Sequence, residues 1–246
     1  AHLNDNLVTM NYKKNNLGLK IEDFEYQYDI LIDPGHGGND VGASINGYNE
    51  KDANLKVSLY EKKRFEEHGL KVKMIREDDT YGIGMGDDSW HIVTRRGYAI
   101  GYFGAVSKIV YSNHHNVISD TSRMGFEILV PSKLNYNDLK EEYEIYNKLK
   151  NIYPLKENHT RMYARDYEDS TIYDKENGQV YNFEDYYAVN RIPYDLYNVK
   201  AIIYENAYMS NVEDWNYYYV EENYKKISEQ KIKVYVESLG LDYIPV

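Results

Sequence analysis

Short apolar runs alternate along the chain with longer segments in which apolar residues recur at helical spacing. The run Ile30-Leu31-Ile32 has apolar side chains on both faces, which is typical of a buried parallel strand. The segment that begins at Glu50 has a broadly apolar face with the period of a helix. This pattern predicts strands at 28–33, 70–75, 108–113, 126–130 and 200–205, and helices at 50–67, 91–103, 139–152 and 212–239.

The order of these elements predicts the fold class. The first strand, the first helix and the second strand form a βαβ unit, whose strands are parallel and whose crossover is right-handed. We therefore predict an α/β fold, a single domain with a mostly parallel twisted sheet of about five to six strands flanked by helices. The domain is assigned to residues 28–246. Residues 1–27 are polar and rich in Asn, and we interpret them as an N-terminal extension that packs loosely or adds an edge strand.

The segment 156–200 has the least regular pattern. Asn177-Gly178 lies between two short β-forming stretches, 171–173 and 179–181. Because Asn-Gly between such stretches is a strong signal for a tight hairpin turn, we predict a small hairpin here.

Charge narrows the classes of partner. The 246 residues include 29 Lys and Arg against 40 Asp and Glu, which gives a net charge of −11. A nucleic-acid-binding surface requires basic clusters, so this balance argues against nucleic acid as a ligand. It also argues against adhesion to an anionic surface through overall charge.

Other absences in the sequence exclude further chemistry. There is no Cys, which excludes disulfides, thiolate metal sites and thiol nucleophiles. No stretch approaches 18 apolar residues, so we predict no membrane span. Residues 1–5 show neither an initiator Met nor a signal-peptide pattern, and we expect a processed or excised chain.

Side chains that can bind metal or transfer protons follow three of the predicted strands. His36 lies in the Gly-rich turn after the first strand, His114 or His115 follows the third, and Glu205 ends the last. The carboxyl ends of the strands are where open α/β sheets bind their ligands. Glu50, which opens the first helix, is a fourth candidate.

These residue types suit a hydrolytic zinc site. A catalytic zinc takes three protein ligands and leaves one position for water, and imidazole and carboxylate are suitable donors. The ion polarises a carbonyl and lowers the pKa of water. A further carboxylate such as Glu205 can move the proton of water to a leaving amine, so the set predicts hydrolysis of an amide. The simpler alternatives are an incidental His36, a Glu50 favoured by the helix dipole, and a Glu205 paired with an arginine.

Seven short motifs occur along the chain in a fixed order. They are Asp33-Pro34-Gly35-His36-Gly37-Gly38, Asn49-Glu50-Lys51 with Asn54-Leu55, Arg76 with Asp79, Arg95 or Arg96 with Ala99, Ser112-Asn113-His114-His115-Asn116, Gly125-Phe126-Glu127, and Tyr204-Glu205-Asn206-Ala207-Tyr208-Met209-Ser210-Asn211. In this order they resemble the zinc-dependent N-acetylmuramoyl-L-alanine amidases of the Amidase_3 type. The resemblance covers residues 28 to about 240.

The resemblance implies a ligand set and a substrate. It implies zinc on His36, Glu50 and His114, with Glu205 as the catalytic carboxylate. It also implies cleavage of the amide between N-acetylmuramic acid and L-alanine of the peptidoglycan stem peptide. Relatives of this type are autolysins, sporulation enzymes and phage endolysins, which implies a secreted, extracytoplasmic protein that acts at the cell wall.

Further residues are expected around this set. His115 is expected beside the ligands without binding the metal, or in exchanged roles with its neighbour His114. Asp33 is expected to orient the turn or to hold a ligand histidine. Asn116, Arg76 and Arg191 are candidate substrate-binding residues, since arginine pairs with carboxylates in two-point contacts. For the arginines the alternative is an ordinary surface ion pair. The glycines beside His36 are interpreted as turn formers and as clearance for a bulky glycopeptide.

The sequence departs from the family pattern at several points. Asn113 replaces an aliphatic residue, and Ala207 replaces a glycine. The loop 77–90 is longer than usual, and an extra segment at 166–185, which contains the predicted hairpin, is a candidate gate of the groove. These departures concern substrate selection and none of them is a proposed metal ligand.

Two other functions remain open from the sequence. One is a related zinc hydrolase on another cell-wall amide, such as a peptidase or a deacetylase. The other is a non-catalytic domain that binds the wall, although such domains lose a ligand or the catalytic carboxylate. We expect a monomer that is brought to its substrate or activated by a protein partner.

Overall fold

The computed structural model describes residues 26–82, 92–152, 160–175 and 177–246. The N-terminal extension predicted at 1–27 therefore lies almost entirely outside the described residues, as does part of the loop 77–90. The elements are β1 (Tyr28–Pro34), β2 (Ser44–Ile45), β3 (Tyr48–Asn49), α1 (Glu50–Glu67), β4 (Val72–Met74), α2 (Ile92–Gly104), β5 (Ser107–Asn116), β6 (Glu127–Leu129), a 3-10 turn (Tyr136–Leu139), α3 (Lys140–Ile152), β7 (Arg161–Arg165), β8 (Ile172–Asp174), α4 (Ala188–Tyr197), β9 (Ala201–Tyr208), α5 (Val212–Tyr218) and α6 (Glu221–Ser238).

Among the described residues, the main sheet has seven strands in the order β4-β1-β5-β9-β6-β7-β8. The strands β4, β1, β5 and β9 are parallel, β6 and β7 run the opposite way, and β8 is antiparallel to β7. The predicted α/β class with a mostly parallel sheet is confirmed. The sheet is wider than predicted because β7 and β8 extend it at one edge. No helix among the described residues has the length and apolarity that crossing a bilayer requires.

Strand β1 shows why the centre of the sheet forms. Its three aliphatic residues are fully buried, with Ile30 and Ile32 in the core under α1, α3 and α6 and Leu31 in the core under α2 and α4. Alternate side chains of a strand point to opposite faces, so a run of aliphatic residues suits a strand covered on both sides. Each such side chain contributes about 1.5–3 kcal/mol by leaving water.

The hairpin predicted around Asn177-Gly178 is wrong. The chain does turn there, since the Gly178 N–H donates to the Lys175 carbonyl (2.9 Å), but β8 pairs with β7 and not with 179–181. Tyr181 instead donates its N–H to the Ser132 carbonyl (3.0 Å). The open edge of β7 takes β8 as its neighbour over three residue pairs, so a tertiary pairing determines the partner of β8.

Two helical predictions also need correction. The helix predicted at 212–239 is divided into α5 and α6, because Val220 has an extended backbone (φ −65°, ψ 130°) and α6 begins after it. Helix α4 was not predicted. It contains Pro193, and proline in a helix interior removes a backbone donor and counts against a helical interpretation.

Candidate active site

The turn after β1 places His36 at the carboxyl end of the sheet in a left-handed backbone conformation (φ 61°). Such a conformation is costly for a residue with a side chain, so the surroundings must hold it. Arg96 does this by donating to the carbonyls of Pro34 (3.1 Å) and His36 (2.7 Å) and by an ion pair with Asp33. Asp33 also accepts from the Ser112 hydroxyl (2.5 Å). Asp33 thus acts through Arg96 on the turn, and its side chain binds no ligand histidine among these contacts.

Arg76 is a second support of the same turn. Its side chain is buried and donates to the carbonyls of Pro34 (2.9 Å), Gly35 (3.0 Å) and Lys51 (2.7 Å). Burial, followed by the positive charge of Arg96, lowers the pKa of Arg76 to about 10. The predicted role of Arg76 in substrate binding does not agree with this burial, because its donors are used on the backbone.

His36, Glu50 and His114 meet at one point. One ligand atom from each lies within 4.8 Å of the others. His36 Nε2 is 3.1 Å from Glu50 Oε2, and His114 Nδ1 is 2.9 Å from Glu50 Oε1. Burial alone would raise the pKa of Glu50, but its contacts with His114 and His36 outweigh burial and hold that pKa well below its usual range. Glu50 is therefore more than a helix-terminal acid.

Asp40 is a site residue that the sequence analysis missed. Its Oδ2 lies 2.9 Å from His36 Nδ1, the nitrogen that does not face Glu50. Burial lowers the pKa of His36, but contacts with Asp40 and Glu50 raise it to about 10. A carboxylate on the far nitrogen of a histidine fixes its tautomer and orientation, as is usual for metal-binding histidines. The spacing of four residues from His36 was the only signal in the sequence.

His115 lies behind the site. Its ring is buried at 5.4 Å from the ring of Trp215 and 5.0 Å from that of Tyr218, and burial lowers its pKa to about 3. Its Nδ1 is 2.7 Å from Asn54 Oδ1, and its backbone N–H donates to Glu50 Oε1 (3.2 Å). The ring of His114, and not that of His115, has a nitrogen within 4.8 Å of ligand atoms of both His36 and Glu50. This arrangement favours His114 as the ligand in the pair that the sequence left open.

Asn54 connects these parts and was also missed as a site residue. Its amide nitrogen donates to the Gly35 carbonyl (3.0 Å) and to Glu50 Oε1 (3.3 Å). It lies one helical turn after Glu50 on α1 and is fully buried. A buried Asn at helical spacing from a candidate ligand was the available signal.

Glu205 faces the same space from β9. It is paired with His114 on β5 and with Glu127 on β6. Its Oε2 is buried without a hydrogen-bond partner, and among the described residues no lysine or arginine is ion-paired with it. Burial, and then the negative charges of Glu50 and Glu127, raise the pKa of Glu205 well above its usual range. The carboxyl group is thus suited to hold a proton, and the structure does not support the alternative of an arginine pair.

A pocket of about 350 Å³ opens over these residues. Tyr187 lies at its wall. Its polar side is formed by His36, Asp40, Glu50, Arg96, His114, His115, Asn116 and Glu205. Its apolar side is formed by Ala43, Val93, Val117, Ala188, Val189 and Ile203. The pocket therefore combines a cluster of metal-competent donors with a surface that suits small apolar groups.

The remaining predicted substrate contacts fall in different places. Asn116 lines the pocket, and its amide nitrogen donates to Glu127 Oε2 (3.0 Å). Arg191 does not line it. Its guanidinium donates to the Asp185 carbonyl (2.8 Å) and lies 3.2 Å from Glu184, so it forms the ordinary ion pair that was the alternative.

Glu127 is fully buried beside Asn116, and no role was predicted for it. It accepts hydrogen bonds from Arg161 (2.8 Å), Tyr163 (2.9 Å) and Tyr208 (2.5 Å) as well as from Asn116. A fully bonded carboxylate is fixed in place, so its charge acts on Glu205 from a constant position. Its place in the Gly125-Phe126-Glu127 motif was the signal that could have indicated it.

Two glycines leave room for the site itself. A Cβ on Gly35 would lie 2.2 Å from Cε1 of His114, and a Cβ on Gly42 would lie 2.6 Å from Glu50 Oε2. The clearance at Gly35, which the sequence analysis assigned to a glycopeptide, is therefore filled by the His114 ring.

The donor set fits a divalent metal of the zinc type. Two imidazoles and one carboxylate converge from a turn, a helix and a strand. The far nitrogen of His36 is bonded to Asp40, and Glu50 also accepts from Asn54 and from the backbone N–H groups of Ala43 and His115. The unpartnered Glu205 oxygen lines the same pocket. Three potential ligands beside a carboxyl group would suit a catalytic rather than a structural metal centre.

Known proteins resemble this chain in parts of its sequence and in its architecture. A profile of the family described as N-acetylmuramoyl-L-alanine amidase (Amidase_3) matches residues 30–234. The probable cell wall amidase LytH of Staphylococcus aureus is 51% identical over 55 residues, which are 21% of this chain and 19% of LytH. The match thus spans about a fifth of the length of that relative.

Solved structures show the same fold. The catalytic domain of CwlV, an N-acetylmuramoyl-L-alanine amidase from Bacillus (Paenibacillus) polymyxa var. colistinus, aligns with a TM-score of 0.60 at 17% identity, over 88% of this chain and 100% of that one. The CwlD amidase from Clostridioides difficile, solved in complex with the GerS lipoprotein, aligns with a TM-score of 0.61 at 21% identity, over 86% and 98%. Since the family profile covers most of its length, the chain belongs to the N-acetylmuramoyl-L-alanine amidase family.

Proposed function

We propose that this chain hydrolyses the amide bond between N-acetylmuramic acid and L-alanine of the peptidoglycan stem peptide, with a zinc ion held by His36, Glu50 and His114. The observation that carries the proposal is the convergence of this triad with the unpartnered carboxyl of Glu205 in one pocket. Membership of the amidase family supports the choice of bond.

The chain's own residues prepare the metal-binding groups. Glu50 presents one oxygen to each imidazole, and Asp40 fixes the far nitrogen of His36. A bound zinc ion would supply Lewis-acid polarisation of the scissile carbonyl and a lowered pKa for a water molecule. Because Arg96 and Arg76 hold the turn after β1, the position of His36 is set before any ligand binds.

Glu205 is proposed to move the proton. Its Oε2 takes a proton from the attacking water and then gives it to the nitrogen of the leaving alanine, so that the amine departs neutral. A carboxylate with a raised pKa is a stronger base, and efficient proton transfer requires a pKa near the working pH. Burial, and then the negative charges of Glu50 and Glu127, raise the pKa of Glu205 and so make its carboxylate a stronger base.

The remaining pocket residues are proposed to position the glycopeptide. The apolar side, which includes Val117 and Ile203, suits the methyl groups of the lactyl and alanine moieties on the two sides of the bond. Asn116 has its nitrogen on Glu127, which leaves its amide oxygen to accept an N–H of the stem peptide. Arg76 and Arg191 are not included, because their guanidinium groups bind within the protein.

Substitution of Glu205 by Gln tests the proposal. Gln keeps the size of the side chain but cannot take the proton, so release of new amines from purified cell walls should fall by about 10²–10⁴-fold. Glu237→Gln on the exposed face of α6, where Glu237 pairs with Lys233 (2.8 Å), is the matched control and should retain full activity. Near-normal amine release by the Glu205→Gln protein would refute the assignment.

The products of the same digest distinguish the related activities. Mass spectrometry should detect stem peptides with a free N-terminal alanine and glycan strands with a free lactyl carboxylate. Shortened peptides that remain on the sugar would indicate a peptidase, and loss of acetyl groups alone would indicate a deacetylase. Binding to walls without any product would indicate the non-catalytic domain.

The proposed substrate also defines the setting. Peptidoglycan lies outside the cytoplasm, so we propose extracytoplasmic, cell-wall action for the mature chain. The structure of the CwlD amidase contains the GerS lipoprotein as its partner, and we extend to this chain the expectation of a targeting or activating protein. A monomer remains our expectation for the isolated chain, and sedimentation velocity would test it.

A further inference from the structure

A cluster of buried polar side chains lies on the face of the sheet opposite Glu205. Its members come from α6, α1, β5 and β9 and are all fully buried. They are Lys231, Glu61, Asn113 and Asn206, which together are called the buried network. Two of them are sequence neighbours of site residues, since Asn113 precedes His114 and Asn206 follows Glu205. Successive side chains of a strand point to opposite faces, so the buried network supports the site from behind.

Lys231 is the centre of the buried network. Its ammonium nitrogen lies 2.6 Å from Glu61 Oε1, an ion-pair contact, and donates to Asn113 Oδ1 (3.0 Å) and Asn206 Oδ1 (3.2 Å). An ammonium group has three protons and accepts no hydrogen bond, and here it has three oxygen neighbours. Both amide oxygens are therefore directed toward Lys231.

The direction of the oxygens fixes the direction of the two amide nitrogens. The nitrogen of Asn113 donates to Glu61 Oε2 (2.7 Å) and to the Ser58 hydroxyl (2.9 Å). The nitrogen of Asn206 donates to the carbonyl of His114 (3.2 Å), and it also lies within hydrogen-bond distance of Asn113 Oδ1 (3.2 Å) and the carbonyl of Tyr204 (3.4 Å). Lys231 is thus connected through one oriented amide to the backbone of a proposed metal ligand.

This connection lies where the sheet is irregular. The pairing of β5 with β9 shifts its register between His114 and Asn116. Such a bulge interrupts the ladder and re-aims nearby side chains, so the ladder alone holds this part of β5 less firmly. The Asn206 amide supplies an additional hydrogen bond at this point, from the residue next to Glu205.

We propose that Lys231 is a positioning residue, which orients the Asn206 amide and so fixes His114 relative to Glu205 across the bulge between β5 and β9. This inference rests on the proposed function. A buried ion pair is weak evidence for a contribution to stability, because apolar residues of similar volume are often as stable. Lys231 contributes by orienting the side-chain amides of Asn113 and Asn206.

The test uses a variant that removes both charges of the ion pair and keeps the side-chain volumes, Glu61→Gln with Lys231→Met. Lys231→Met alone leaves Glu61 buried and unpaired and is expected to unfold. For the double variant we expect kcat on cell walls to fall about 10- to 100-fold with KM nearly unchanged, because small misplacements of reacting groups have effects of this size. Its zinc affinity, measured by competition with a chelating dye, should also fall.

A second variant removes the donor N–H groups of Asn206, including the one on the His114 carbonyl. Asn206→Asp keeps an oxygen for Lys231 but removes the N–H that donates to the His114 carbonyl, so it should reproduce the loss of kcat even if the double variant does not fold. Lys233→Met, which removes the exposed Lys233 of α6, should change neither kcat nor zinc affinity. Folding is checked for each protein by circular dichroism and Tm.

The outcomes separate the two inferences. Folded variants with unchanged kcat and zinc affinity would overturn the role of Lys231, and so would a lower Tm with kcat unchanged at a temperature where all proteins are folded. If the unaltered protein releases no amine from walls, the proposed function fails. Zinc affinity then still decides whether the buried network positions His114.

Discussion

Glu50 and the two histidines leave no room for a larger neighbour. The Glu50 carboxylate bridges His36 and His114, and the His114 ring fills the space over Gly35. Close packing of this kind transmits small displacements, because protein interiors have few voids to absorb them. The absence of a side chain at Gly35 is therefore part of the site.

Gly35→Ala should impair the site more than the fold. The added methyl group would lie 2.2 Å from the His114 ring, so the ring must move, and we expect weaker zinc binding with about 100-fold lower amine release. Gly47→Ala is the control. It has open space around it but a positive φ of 83°, so it should lose about 1–2 kcal/mol of stability without a change in zinc affinity. Normal zinc affinity in Gly35→Ala would contradict this account.

Among the elements, α5 is joined to two strands by one carboxylate. Asp214, in the first turn of α5, accepts the backbone N–H groups of Gly125 before β6 (2.9 Å) and Tyr208 at the end of β9 (2.8 Å). Its burial raises the pKa to about 7 despite these hydrogen bonds. The ends of β6 and β9 are thus connected through a group that titrates near neutrality.

This titration should appear in the pH dependence of stability. The pKa of Asp214 is 3.8 in its unperturbed form and about 7 in the folded chain, so the folded state binds more protons between these values. The contribution of Asp214 is then fully present below pH 3.8 and is lost as the pH rises through 7. The free energy of unfolding of the unaltered chain minus that of Asp214→Asn should fall over this range in urea titrations. A difference that does not vary with pH would argue against the shift.

The elements that the sequence predicted well have a strong local signal. Helix α1 has the predicted bounds, and β1, β5 and β9 contain the apolar runs that predicted them, as suits strands covered on both faces. His36, the pair His114 and His115, and Glu205 became candidates because each follows or ends such a run, and the family resemblance then indicated His114 within the pair. Because ligands of open α/β sheets bind at the carboxyl ends of the strands, residues far apart in the chain could be predicted to lie in one site.

The missed features depend on tertiary contacts that leave no local trace. Arg76 was predicted to bind substrate, and Arg96 was noted only as a motif residue. Both donate to backbone carbonyls, and because every residue has a carbonyl, the sequence does not indicate these contacts. The partner of β8 depended on an open edge at β7, and no pattern within 171–181 reports that edge. Asp40 and Asn54 are short polar residues that become informative only when the position of Glu50 is known.

At the scale of the whole molecule, the proposed metal ligands come from a turn, a helix and a strand that meet only in the folded chain. An unfolded chain therefore offers no comparable site, and ligand binding adds to the free energy of folding. The consequence is a dependence of global stability on the metal.

Zinc should therefore raise Tm. At a free concentration about 100 times its Kd, a ligand that binds only the folded state adds about 2.7 kcal/mol. Chelator should lower Tm and abolish amine release, and added zinc should restore both. His114→Ala is the control and should show a Tm that responds to neither reagent. A zinc-independent Tm in the unaltered protein, with activity that survives chelation, would exclude a metal-dependent amidase.

The order of strands has a further consequence for how the protein opens. Strands β5 and β9 occupy the third and fourth positions among the seven described strands, so both are hydrogen-bonded on each side, whereas β8 lies at an edge of that described sheet. Interior strands exchange their amide protons only when the whole domain opens, while edges open by local fluctuation. The backbone that carries His114 and Glu205 should thus be among the slowest to exchange with deuterium. A metal ion that leaves such a site must do so through the mouth of the pocket, with the sheet closed behind it.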